Sequence, residues 1–115
     1  MKFLMISHAT PGAPPPPPEA LAKIGEFTQR MIAAGKVVMT GGIQRTGSGL
    51  QIQREAGKTS VTDGPFAESK ELIDGFAIVE VASREEAVAL SKEFWEVAGD
   101  GKGEILQIFD GGPPE

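Results

Sequence analysis

The sequence predicts an α+β domain, and three observations carry the prediction. Two stretches, Glu19 to Ala34 and Ser83 to Gly99, place apolar residues at helical spacing. Short runs rich in Val, Ile, Leu and Phe lie before, between and after them, bounded by glycine or polar turns, as strands are. The elements follow the order β-α-β-(β-β)-β-α-β. Without the bracketed hairpin this is βαββαβ, the ferredoxin-like pattern, with two helices covering one face of an antiparallel sheet.

Lys2 to Ser7 reads as the first strand, since Phe3-Leu4-Met5-Ile6 is too short for a signal-peptide core and no small-residue cleavage site follows. Pro14 to Pro18 form a stiff polyproline surface loop, and Pro18 suits the first position of a helix. In the first helix Leu21, Ile24, Phe27 or Thr28, Met31 and Ile32 fall near one face, and Gly35 ends it. Val37 to Thr40 is a strand closed by Gly41-Gly42. Leu50 to Thr62 reads as a hairpin turning at Ala56-Gly57, and Leu72 to Val81 as a longer strand. Ser83 with Glu86 makes a capping box for the second helix, whose buried face is Ala87, Leu90, Phe94 and Val97. Glu104 to Phe109 is the last strand. One domain is expected over residues 1–110, with 111–115 as a C-terminal tail.

The strands are apolar on both faces. Phe3-Leu4-Met5-Ile6 and Phe76-Ala77-Ile78-Val79 do not alternate, although a strand with one solvated face should. Two helices cover one side. A second copy of the sheet, packed face to face, is the economical cover for the other, so a homodimer with a shared interior is expected.

At 115 residues, 40% hydrophobic and 23% charged, the chain suits a single globular domain. No apolar run approaches the ~18 residues of a membrane span, so no membrane is expected as a partner. The absence of cysteine excludes disulfides, thiolate nucleophiles, zinc fingers and iron–sulfur clusters, and fits a cytoplasmic protein. A net charge of −5 with scattered basic residues disfavours nucleic acid.

Several motif fragments fail on inspection. Gly57-Lys58-Thr59 resembles the end of a phosphate-binding loop, but Ile52 stands where the first glycine is needed. Gly47-Ser48-Gly49 lacks the glycine of a nucleophile elbow. There is no dinucleotide fingerprint, and no cofactor is expected. With one histidine, a zinc site has too few ligands. Asp63, Glu68, Glu71 and Asp74 offer only a loose carboxylate set for a hard cation.

The remaining chemistry gathers at two places. His8, the single histidine, follows the first strand, and imidazole suits proton transfer near neutrality. Asp63-Gly64-Pro65-Phe66 is a turn signal in which the carboxylate accepts backbone N–H groups. Asp63 also suits orienting an imidazole base. The candidate catalytic residues are His8 and Asp63, with Phe66, Glu68 and Lys70 as candidate substrate-binding residues.

The segment Asp63-Gly64-Pro65-Phe66-Ala67-Glu68-Ser69-Lys70-Glu71-Leu72-Ile73-Asp74-Gly75-Phe76 resembles the DGPF branch of the YCII-related (YciI-like) proteins. The likeness extends to Met1-Lys2-Phe3-Leu4, Gly41-Gly42, Val61-Thr62 and Ser83 to Ala89. It implies a bacterial protein of the dimeric α+β barrel group. YciI-like members carry a histidine at the start of helix one and an aspartate after helix two. Here helix one begins Pro18-Glu19-Ala20-Leu21 and no Asp-Pro-Tyr follows helix two, so that pair is absent from its usual places. Genes of the branch often stand beside extracytoplasmic-function sigma factors, which implies regulation. Two readings of function follow. One is a dimeric barrel that binds, and in its fuller form transforms, a small organic molecule by acid–base chemistry. The other is a non-enzymatic regulatory protein associated with a sigma factor. A purely structural role for the motif is the third option.

Overall fold

The computed structural model describes residues 1–9, 14–43, 49–63 and 72–109. Along the chain come β1 (Lys2–Ala9), α1 (Pro18–Ala33), β2 (Val37–Gly42), β3 (Leu50–Glu55), β4 (Lys58–Asp63), β5 (Leu72–Glu80), α2 (Arg84–Ala98) and β6 (Lys102–Ile108). Four strands form one sheet in the order β2-β5-β1-β6, and every neighbouring pair is antiparallel. Strands β3 and β4 form a separate two-stranded sheet.

Backbone and capping chemistry explain where the helices begin. Pro17 is extended at φ −65° and ψ 156°, and Pro18 opens α1 where a missing N–H costs nothing. The Ser83 hydroxyl accepts the Glu86 N–H at 3.1 Å. The Glu86 carboxylate accepts from Ala82 N at 2.9 Å, one residue before the position a capping box uses. The Ser83 hydroxyl thereby satisfies the Glu86 N–H, an orphan donor of the first turn, and the Glu86 carboxylate lies 3.9 Å from Lys36 Nζ.

The core lies between the helices and one face of the sheet. Phe3, Val79 and Val81 meet Phe27 of α1 and Ala87 and Leu90 of α2, all buried. Met5, Val37, Ala77 and Ile105 extend the same sheet face, while Met31, Phe94 and Val97 extend the helical side. Phe27 and Phe94 join the helices at a ring separation of 6.4 Å. The buried side of α2 is the expected one. That of α1 is narrower than expected: Leu21 and Ile32 are 52% and 44% exposed. At 100° per residue Ala20, Ile24, Phe27 and Met31 share one stripe, and Leu21 and Ile32 fall beside it.

The opposite sheet face has no helix over it. Cross-strand pairing places Leu4, Ile6 and His8 there with Ile78, Phe76 and Ile73 on one side and Leu106, Glu104 and Lys102 on the other. Met39 of β2 joins the row of Ile78 and is 57% exposed. The chain is a slab of 46 × 40 × 19 Å. Its accessible surface is 8284 Å², against about 6,000 Å² for a compact monomer of this mass.

The hairpin turns through Ala56 at φ 51° and Gly57 at φ 78°, the positive pair that a two-residue connection uses. Every residue of β3 and β4 is exposed. No helix among the described residues is long and apolar enough to cross a membrane.

Trp95 of α2 closes the sheet margin over two glycines. A Cβ at Gly103 would collide with the Ile6 carbonyl and lie 3.2 Å from the Trp95 ring. Gly25, in the middle of α1, has open space around it. Gly103→Ala is therefore expected to lower stability by about 2 kcal/mol, while Gly25→Ala raises it by about 0.5–1 kcal/mol. Urea midpoints at constant slope check both signs.

Candidate functional site

The helix-free face is an apolar strip with a polar station at one end. Strand alternation sends Ser7 toward the helices and His8 to this face. The β1–β5 register is irregular between Ser7 and His8, so that Ser7 pairs with Gly75 and His8 with Ile73. Across the other edge of β1, His8 pairs with Lys102, and its neighbour Ile6 pairs with Glu104. His8 thus sits among Ile73, Lys102 and, on the diagonal, Glu104.

The His8 side chain is only 15% exposed and that of Glu104 is 55% exposed. Nε2 lies 3.6 Å from Glu104 Oε1. That is too long for a hydrogen bond and close enough for an ion pair when the imidazole is protonated. Nδ1 is buried and has no hydrogen-bond partner among the described residues. A buried N–H without an acceptor costs about 1–3 kcal/mol. The neutral ring is therefore best accommodated with its proton on Nε2, toward Glu104, and a lone pair at Nδ1. Because Nδ1 is sealed, any proton exchange of this ring runs through Nε2, beside the Glu104 carboxylate.

Asp63 is the last residue of β4 and is exposed. It pairs through its backbone with Leu50, and no hydrogen bond or ion pair joins its side chain to His8. Phe66, Glu68 and Lys70 lie outside the described residues, as does the turn from Gly64 onward. Glu104 is the site residue that the sequence reading missed. Its signal was an acid on the same strand face as Leu106 and Ile108, two and four residues on, but its placement beside His8 depends on the β1–β6 register. Among the described residues no group of three His, Asp or Glu side chains is arranged to hold a metal ion. Glu68 and Glu71 of the carboxylate set lie outside those residues.

The YCII-related domain matches residues 1–110. The chain belongs to the YCII-related family. An uncharacterized protein of Rhizobium meliloti is 34% identical to this YCII-related chain over 65 residues, 56% of the chain. The match spans about half of that relative, 52% of its length.

The geometry of the YCII-related site makes a spectroscopic prediction. Two-bond ¹H–¹⁵N spectra of the neutral form should show His8 as the Nε2–H tautomer, with Nδ1 resonating as an unprotonated ring nitrogen. Shifts averaged between the two tautomers would show that burial does not hold the ring as described.

Proposed function

We propose that this YCII-related protein is a homodimer whose helix-free sheet faces enclose an interior, and that His8 with Glu104 provides acid–base chemistry there for a small organic molecule. One observation carries the reading: a nearly buried histidine whose Nε2 faces a carboxylate, set at the end of an apolar strip with no helix over it. Pockets for small ligands combine apolar walls with a few convergent polar groups in this way.

The strand order β2-β5-β1-β6 with two crossover helices supports a ferredoxin-like core with the β3–β4 hairpin inserted. The surface beyond that of a compact monomer, roughly 2,000 Å², supports a dimeric α+β barrel, since a standard interface takes about 800 Å² from each partner. Resemblance of the Asp63 to Phe76 segment supports the DGPF branch. In this reading Asp63 introduces a segment whose Phe66, Glu68 and Lys70 suit a pocket lining, and Asp63 orients a polar partner. The competing reading, a regulatory protein associated with a sigma factor, draws on the exposed Pro14–Pro17 segment and the −5 charge.

Light scattering should give twice the 12.1 kDa chain mass. In a metabolite panel read by melting temperature, a ligand should stabilise the wild type, and His8→Gln should weaken that binding at least tenfold, the loss of one charge-assisted contact. His8→Gln and Asp63→Asn variants that bind as wild type would overturn the site assignment. A stoichiometric protein co-purifying in place of a metabolite would favour the regulatory reading.

A further inference from the structure

The β3–β4 hairpin has two unlike faces. Gln51, Gln53 and Glu55 point one way, with Thr62, Ser60 and Lys58 opposite them. Leu50, Ile52 and Arg54 point the other way, opposite Asp63, Val61 and Thr59. Leu50, Ile52 and Val61 are 69%, 74% and 60% exposed, and Arg54 donates to Thr59 Oγ1 at 3.0 Å. A two-stranded ribbon is marginally stable by itself in water. One with an uncovered apolar face needs a surface to lie on.

Strand β6 carries a matching strip. On its helix-free face Ile108, Leu106 and Glu104 follow one another at two-residue spacing, in the rows of Lys2, Leu4 and Ile6. Leu106 is 46% exposed. Read along β3, the hairpin offers apolar, apolar, cationic: Leu50, Ile52, Arg54. Read against its direction, β6 offers apolar, apolar, anionic: Ile108, Leu106, Glu104. Both repeat at the same interval, about 6.8 Å per two residues. The two strips do not meet within one chain, because every hairpin residue is exposed.

We infer that the hairpin is an arm exchanged between two copies of this chain. Leu50 and Ile52 lie over Ile108 and Leu106 of the second copy, and Arg54 reaches its Glu104. The inference rests on the dimeric reading above and adds what closes the margin of its interior. The second copy is the occupant because both complementary strips belong to one sequence. A two-fold axis lets each arm grip the other sheet at once, and the surplus surface is large enough for both contacts. Each His8–Glu104 pair then has Arg54 of the partner subunit beside it, so the site is complete only in the dimer.

The chain has no cysteine, so disulfide trapping starts without background. Tagged Ile52→Cys chains would be mixed with untagged Leu106→Cys chains, allowed to exchange, and oxidised. A tagged–untagged cross-link is expected, and none when exposed Lys92→Cys replaces Leu106→Cys. In parallel, Arg54→Glu and Glu104→Arg should each weaken self-association about tenfold, and together restore it to within about threefold. A dimer that neither cross-links at this pair nor shows charge-swap rescue would overturn the exchanged arm and leave the dimer standing. Cross-links only between Ile52→Cys chains would overturn it by placing arm against arm. A monomer at micromolar concentration would overturn both readings.

Discussion

The structure depends on a sheet that is apolar on both faces and has helices for only one. The helical side is settled in cis: Phe3, Val79 and Val81 are buried against Phe27, Ala87 and Leu90. The other side has no helix over it: Leu4, Ile6, Phe76 and Ile78 in the centre are half-buried, and Met39 and Leu106 at the margins are exposed. Water penalises that arrangement by roughly 25 cal/mol for each Å² of apolar surface left exposed. The exposed β3–β4 hairpin adds to a surface larger than a compact monomer's. In the proposed dimer the helix-free side is the face a second copy would cover.

That constraint also decides where chemistry can stand. A polar group on the helical face would be sealed in a core packed by aromatic and aliphatic side chains. A polar group on the uncovered face is not sealed in that way, and in the proposed dimer it would line the shared interior. His8 reaches this face by the two-residue alternation of β1, one position after Ser7, which faces the helices. Glu104 reaches it by the alternation of β6. The only specialisation required is that the central strand β1 and the edge strand β6 each carry a titratable residue, His8 and Glu104, at the same end of this face.

The hairpin has a different energetic character from the rest. Its turn is locally well specified, since Ala56-Gly57 supplies two positive φ angles, and its pairing register follows from the two-residue loop. Among the described residues no other element covers the hairpin. Its exposed apolar side and its match in charge and hydropathy with β6 are what the proposed arm exchange rests on.

Much of this was legible in the sequence, because the signals are local. Helix limits follow from Pro18, Ser83 and the glycines beyond each end; the hairpin follows from its turn; the two-faced character of β1 and β5 follows from the failure to alternate. The misplacement of Leu21 and Ile32 shows the limit of local periodicity: a helix has more apolar residues than its neighbours can cover, and only packing selects the stripe. The site divides in the same way. His8 stood out as the single histidine at a strand end. Glu104 could not, because its nearness to His8 is fixed by the β1–β6 register, a pairing between residues almost a full chain length apart. Sequence determines which residues share a strand face; only the tertiary structure decides which strands are neighbours, and so which side chains meet.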